Sequence, residues 1–156
     1  MNTNNYSIRE PGFEGLLIGV VQQAVDDYVF WNVRKQSWED LKAQIQPLKE
    51  DLAMFIEGRD RVRKEIRESK EYYDNADIVE MYETIDKWTE RIDKLREEMF
   101  PMRRRLSDLN AIRKKAEDAE EFLTSDFFCE TFSITKNKIM AMCNELVNEM
   151  GGQNDE

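Results

Sequence analysis

Along residues 78–109 the apolar positions fall at Ile78, Met81, Ile85, Trp88, Ile92, Leu95, Met99, Met102, Leu106 and Leu109, in alternating steps of three and four. This heptad spacing puts one apolar stripe on a helix and predicts packing along its length against a second helix. A matching stripe precedes it: Leu41, Ile45, Leu48, Leu52, Phe55, Val62, Ile66 and Tyr73, interrupted by Arg59 and Ser69. Between the stripes lies Tyr72-Tyr73-Asp74-Asn75-Ala76-Asp77, the one turn-like stretch. Folding back at Asp74-Asn75 pairs positions whose numbers sum to about 149, which sets Pro47 opposite Pro101. The expectation is an antiparallel coiled-coil hairpin over residues 38–113, with its tip at 74–75 and its root near the two prolines. Arg59, the charged lapse, would face the neighbourhood of Glu90 and fix the register.

The flanking segments read as further helices. Pro11-Gly12 opens the first, with Phe13, Leu16, Leu17, Val20, Val21, Ala24, Tyr28 and Trp31 on a wide apolar face that needs more than one partner element. It is expected to end near Lys35, with Ser37 capping a fresh helix and Pro47 kinking or breaking it. Gly58 weakens that helix by roughly 1 kcal/mol relative to alanine. The next helix should start near Ala76 or Asp77. Downstream, Ser125 suits the N-cap of a short helix from Asp126 to Phe132. Ser133 or Thr135 then caps a last one, with Ile139, Met142 or Cys143, Leu146 and Met150 facing inward. Gly151-Gly152 ends it, and both chain ends read as polar and loose. The fold class expected is all-α: a small helical head formed by both ends of the chain (residues 1–37 and 114–156), with a long antiparallel coiled-coil hairpin inserted between them.

Composition supports this reading: charged residues make up 36% of the chain and apolar residues 40%, which suits an exposed coiled coil. The net charge of −10 is uneven. Residues 48–113 carry 15 basic and 17 acidic side chains, whereas residues 114–156 carry 4 and 10. Nucleic-acid binding through phosphate contacts, which requires a basic patch, is therefore not expected. Arg103-Arg104-Arg105 and Lys114-Lys115 are largely offset by neighbouring carboxylates. No apolar stretch is long enough to span a bilayer, and Leu16 to Val21 is interrupted by Gly19. Cytoplasmic residence is the expectation.

The chain contains no histidine, so the commonest general base and metal ligand is missing, and no phosphate-cradling glycine loop is present. Glu117 and Glu121 share a helix face, but with no histidine available they read as a solvated acidic surface. Cys129 and Cys143 show no metal-binding spacing and read as small core residues, with a structural disulfide as the alternative. No enzyme activity, cofactor or metal is expected. The aromatic cluster Phe122, Leu123, Phe127 and Phe128 reads as cover for the first helix. Trp31 and Trp38 are expected to pack as well. Candidate partner-binding residues are Gln22, Gln23, Asp26 and Asp27 on the wet face of the first helix, with Ser125, Asp126 and Phe127 downstream.

Two elements carry a resemblance. Gln23-Ala24-Val25-Asp26-Asp27-Tyr28 and Ala119-Glu120-Glu121-Phe122-Leu123-Thr124-Ser125-Asp126-Phe127-Phe128 resemble the QAxxDY and AxxFLxSxxF elements of small uncharacterised phage and prophage proteins of Gram-positive bacteria. Those proteins bring the two elements close together, whereas a long coiled-coil stretch separates them here. The resemblance implies a phage-type, non-enzymatic origin and supplies no mechanism. The function expected is docking of a host or phage macromolecule, a protein partner, with self-association possible. The alternative is an acidic mimic of nucleic acid that occupies a DNA- or RNA-binding protein.

Overall fold

The computed structural model describes residues 11–152, apart from the side chains of residues 11–14 and of Lys70. Phe13 and the polar chain ends lie outside the described side chains. The fold is all-α: helix α1 spans Pro11–Ser69, a short 3₁₀ turn Lys70–Tyr72, α2 Asn75–Leu123, α3 Asp126–Thr131 and α4 Lys136–Gly151. By internal contacts the chain divides into two compact units, Met1–Gln36 with Asp108–Glu156, and Ser37–Ser107.

The second unit is a pair of antiparallel helices. All seam positions expected from the heptads are buried or half-buried, and Ile45, Ile92, Leu95 and Met99 are almost completely enclosed. The register is close to the expected one. Arg91 lies over the Phe55 ring and Gly58 abuts Trp88, pairs whose numbers sum to 146. Trp88 is half-buried, and its ring packs on Gly58. A methyl group at Gly58 would lie 2.8 Å from Trp88 Cη2 and Cζ3. The glycine is thus the notch that admits an indole into a helix–helix seam, and its cost in helix propensity is only half of its effect. Arg59 keeps its place in the seam with a side chain only 15% exposed, but it pairs with Asp60 on its own helix at 3.3 Å. The expected pairing toward Glu90 is replaced by this local one.

The connection is built by reciprocal capping. Asp74 Oδ1 accepts from the Asp77 amide at 2.8 Å, while the Asp74 amide donates to Asp77 Oδ2 at 3.4 Å. This capping box starts α2 at Asn75, one residue earlier than expected. Tyr73 donates a 2.6 Å hydrogen bond to Glu65, tying the turn back to α1.

Two expected interruptions are absent. α1 is continuous through Ser37, which is exposed and caps nothing. Trp31, Trp38, Leu41 and Ile45 are all buried on one stripe, so packing carries the helix past the serine and leaves no orphan amide to satisfy. α1 is likewise unbroken at Pro47, as α2 is at Pro101. Both prolines are exposed, as are Ala43 and Glu97, whose carbonyls lose their helical donors. Water can solvate those carbonyls, which removes much of the penalty of a helical proline.

In the first unit the core comprises Ala24, Tyr28 and Val29 of α1, Ala119 and Leu123 of α2, Phe128 of α3, and Ile139 and Cys143 of α4. Ser125 caps α3: its Oγ accepts from the Phe128 amide at 3.2 Å and donates to the Phe122 carbonyl at 2.6 Å. Thr135, not Ser133, caps α4, accepting from the Lys138 amide. Ser133 instead takes a left-handed φ of 50° in the turn between the two helices.

Candidate functional site

Polar chemistry is thin in the first unit. Gln22 and Asp26 are exposed on α1. Gln23 Nε2 donates to Asp27 Oδ1 at 2.9 Å, a turn-to-turn pair along one helix face. These two residues border a shallow pocket of about 540 Å³ with Val20, Lys115, Asp118 and Phe122. The pocket floor is apolar and its rim holds one cation and two carboxylates, so it offers weak polar contacts and no acid–base pair. Asp126 is exposed and forms an ion pair with Lys136 at 3.1 Å. Of the seven candidate residues, the structure brings Gln23 and Asp27 together at one pocket. The Ser125 hydroxyl is committed to capping.

Tyr28 lies in the core of this unit. Its hydroxyl donates to Asn144 Oδ1 at 3.0 Å. Burial, then the nearby charges of Glu120 and Cys143, raise its pKa above the ordinary phenol value. Burial likewise raises the Cys143 thiol, keeping it in the less nucleophilic protonated form. Both cysteines are free, Cys129 half-buried and Cys143 buried. Among the described residues no group of three or more His, Cys, Asp or Glu could hold a metal ion, and no helix is long and apolar enough to cross a membrane.

The larger feature is apolar. α4 turns Ile139 and Cys143 inward, with Met140 and Val147 packed beside them, rather than the expected set that included Leu146 and Met150. Its apolar arc is wider than its cover, so Met142, Leu146 and Met150, spaced by four, remain 49%, 41% and 48% exposed. Phe127, expected in the core, is 57% exposed, because the cap at Ser125 orients α3 so that Phe128 takes the inner position. Leu16 and Val20 on α1 are also uncovered. α2 ends at Leu123, and Phe122 meets Val20 only across the open pocket, so α2 offers little cover to earlier residues of α1. Periodicity revealed that α4 has an apolar face but not which part of that broad arc a neighbour would cover.

No protein-family model matches the chain, nor does any curated protein or any solved structure.

Proposed function

We propose that this is a non-enzymatic interaction protein of phage or prophage type that docks a protein partner through the uncovered apolar face of its first unit. The observation that carries this reading is the stripe Met142, Leu146 and Met150 on α4. Three large apolar side chains at four-residue spacing are the anchor pattern with which one helix engages a groove or another helix. Completing their burial would contribute about 1 kcal/mol each, and thioethers adapt well to an irregular partner surface. Exposed Phe127 adds an aromatic anchor of the kind that dominates binding energy. The resemblance of the QAxxDY and AxxFLxSxxF elements to phage proteins supports the origin.

The test is capture from a bacterial lysate on the immobilised full chain, beside the double variant Met142→Asp/Leu146→Asp. A specific protein should be retained at about 500 mM salt, where exposed ion pairs are largely screened, and lost in the variant with helicity unchanged. No capture, or capture that survives the double variant, would refute the reading. Binding that collapses with salt yet survives the variant would favour the alternative, an acidic nucleic-acid mimic acting on a DNA- or RNA-binding protein.

A further inference from the structure

The residues flanking the two seams determine which charges each edge of the hairpin displays. With Ile45 and Met99 at a positions of their heptads, Lys42, Lys49 and Arg63 on α1 and Tyr82, Arg96 and Arg103 on α2 all occupy e positions. Arg63 and Tyr82 line one pocket of the hairpin, whereas Glu65 and Thr84, both at g, line another. Two heptads from the Arg63–Tyr82 level, the same edge sets Lys49 beside Arg96; three heptads away it sets Lys42 beside Arg103. Like charges therefore meet at two successive levels, the reverse of the pairing that stabilises a coiled coil.

Over this stretch the e and neighbouring b positions hold four cations and two carboxylates, Glu39 beside Lys42 and Asp93, which pairs with Arg96 at 3.5 Å. Lys49 and Arg103 form no ion pair among the described residues, and the Lys42 ammonium sits 4.1 Å from the centre of the Trp38 ring. Phe100, 67% exposed, lies at the b position between Arg96 and Arg103. Such an edge is stabilised when a polyanionic surface lies along it.

The chain itself supplies that surface. Between Lys115 and Lys136 it carries six carboxylates and no lysine or arginine. Glu117 is paired with Arg113 and Asp126 with Lys136, while Asp118, Glu120, Glu121 and Glu130 form no ion pair among the described residues. We propose that the basic edge of the hairpin, Lys42, Lys49, Arg96 and Arg103 with Phe100, docks the acidic 117–130 segment of a second copy of this chain. Two such contacts, related by a two-fold axis, would make a salt-sensitive homodimer. The charged residues of this contact include neither the α4 stripe nor Phe127, so either proposal can fail alone.

The full-length protein is tested by sedimentation at about 100 µM, a concentration that detects even weak dimers, in about 50 mM and about 500 mM salt. A dimer is expected at low salt and a monomer at high salt. Lys49→Glu/Arg103→Glu and Glu121→Lys/Glu130→Lys, all at exposed positions, should each weaken dimerisation about tenfold or more, since each reversal turns attraction into repulsion. An equimolar mixture of the two double variants should associate again, because each then presents the charge that the other has lost. A wild-type protein that is monomeric at low salt overturns the proposal. So does a dimer indifferent to salt and to both double variants, or a mixture that stays monomeric.

Discussion

Replacing Gly58 with alanine sets local helix preference directly against tertiary packing. In an isolated helix the change should stabilise by about 1 kcal/mol. Here the new methyl carbon would sit 2.8 Å from two carbons of the Trp88 ring and 3.3 Å from a third. That is about 0.7 Å inside ordinary carbon–carbon contact, and a flat, two-torsion indole cannot yield as a lysine or methionine would. Overpacking of this size costs about 1–3 kcal/mol, so Gly58→Ala should destabilise by about 1 kcal/mol net. In a Trp88→Leu background the obstacle is gone and the same alanine should stabilise by nearly its full helix preference. The coupling between the two positions is thus about 2 kcal/mol, within the range for residues in direct contact. Urea denaturation of the four proteins, followed by circular dichroism at 222 nm, measures it. The reasoning fails if Gly58→Ala stabilises equally in both backgrounds, because the indole would then not occupy the space above the glycine.

Two further outcomes follow from groups in the first unit. Ser125→Ala should cost about 1 kcal/mol by removing the α3 cap, seen as a lower denaturation midpoint, while partner capture stays at the wild-type level; lost capture at unchanged stability would make the hydroxyl a contact instead. The raised pKa of Tyr28 means that its contribution is fully present below pH 10 and is lost as pH climbs through the higher folded value. Tyr28→Phe should therefore be less stable than wild type at pH 8 and should show a shallower decline toward pH 11; parallel pH profiles would contradict the assignment.

The sequence was most informative where one helix face meets one partner. The ten positions from Ile78 to Leu109 all face inward because a heptad stripe has a single way to be covered. Ser125 and Asp126 announced α3 because a cap acts within three residues of itself. Legibility fell where the outcome depended on a distant residue. Gly58 read as a weakness because its reason is an indole thirty positions away. Ser37 read as a cap because its neighbours suit one, yet the buried stripe through Trp31, Trp38 and Leu41 carries the helix past it. The like-charged edge does not show along the chain, where Arg103-Arg104-Arg105 is offset by nearby acids, because it arises only across the hairpin. α4 shows the same limit: its apolar arc was evident, whereas the half that stays uncovered depends on how α1 and α3 pack on it.

The reciprocal Asp74–Asp77 box also has a meaning in time. Tyr28 and its partner Asn144 are separated by 116 positions. On a ribosome adding about 5–20 residues per second, the apolar start of α1 would wait on the order of ten seconds for the residues that cover it. Contacts this remote in sequence close slowly when the intervening chain is loose. The turn changes the arithmetic: once Asp74 and Asp77 have capped each other, each added seam pair closes only a small further loop. The hairpin can zip from its tip toward the chain ends, delivering Ala119 and Leu123 to Ala24 and Tyr28 without a long-range search. The most distant contacts of the molecule then depend kinetically on one of its most local.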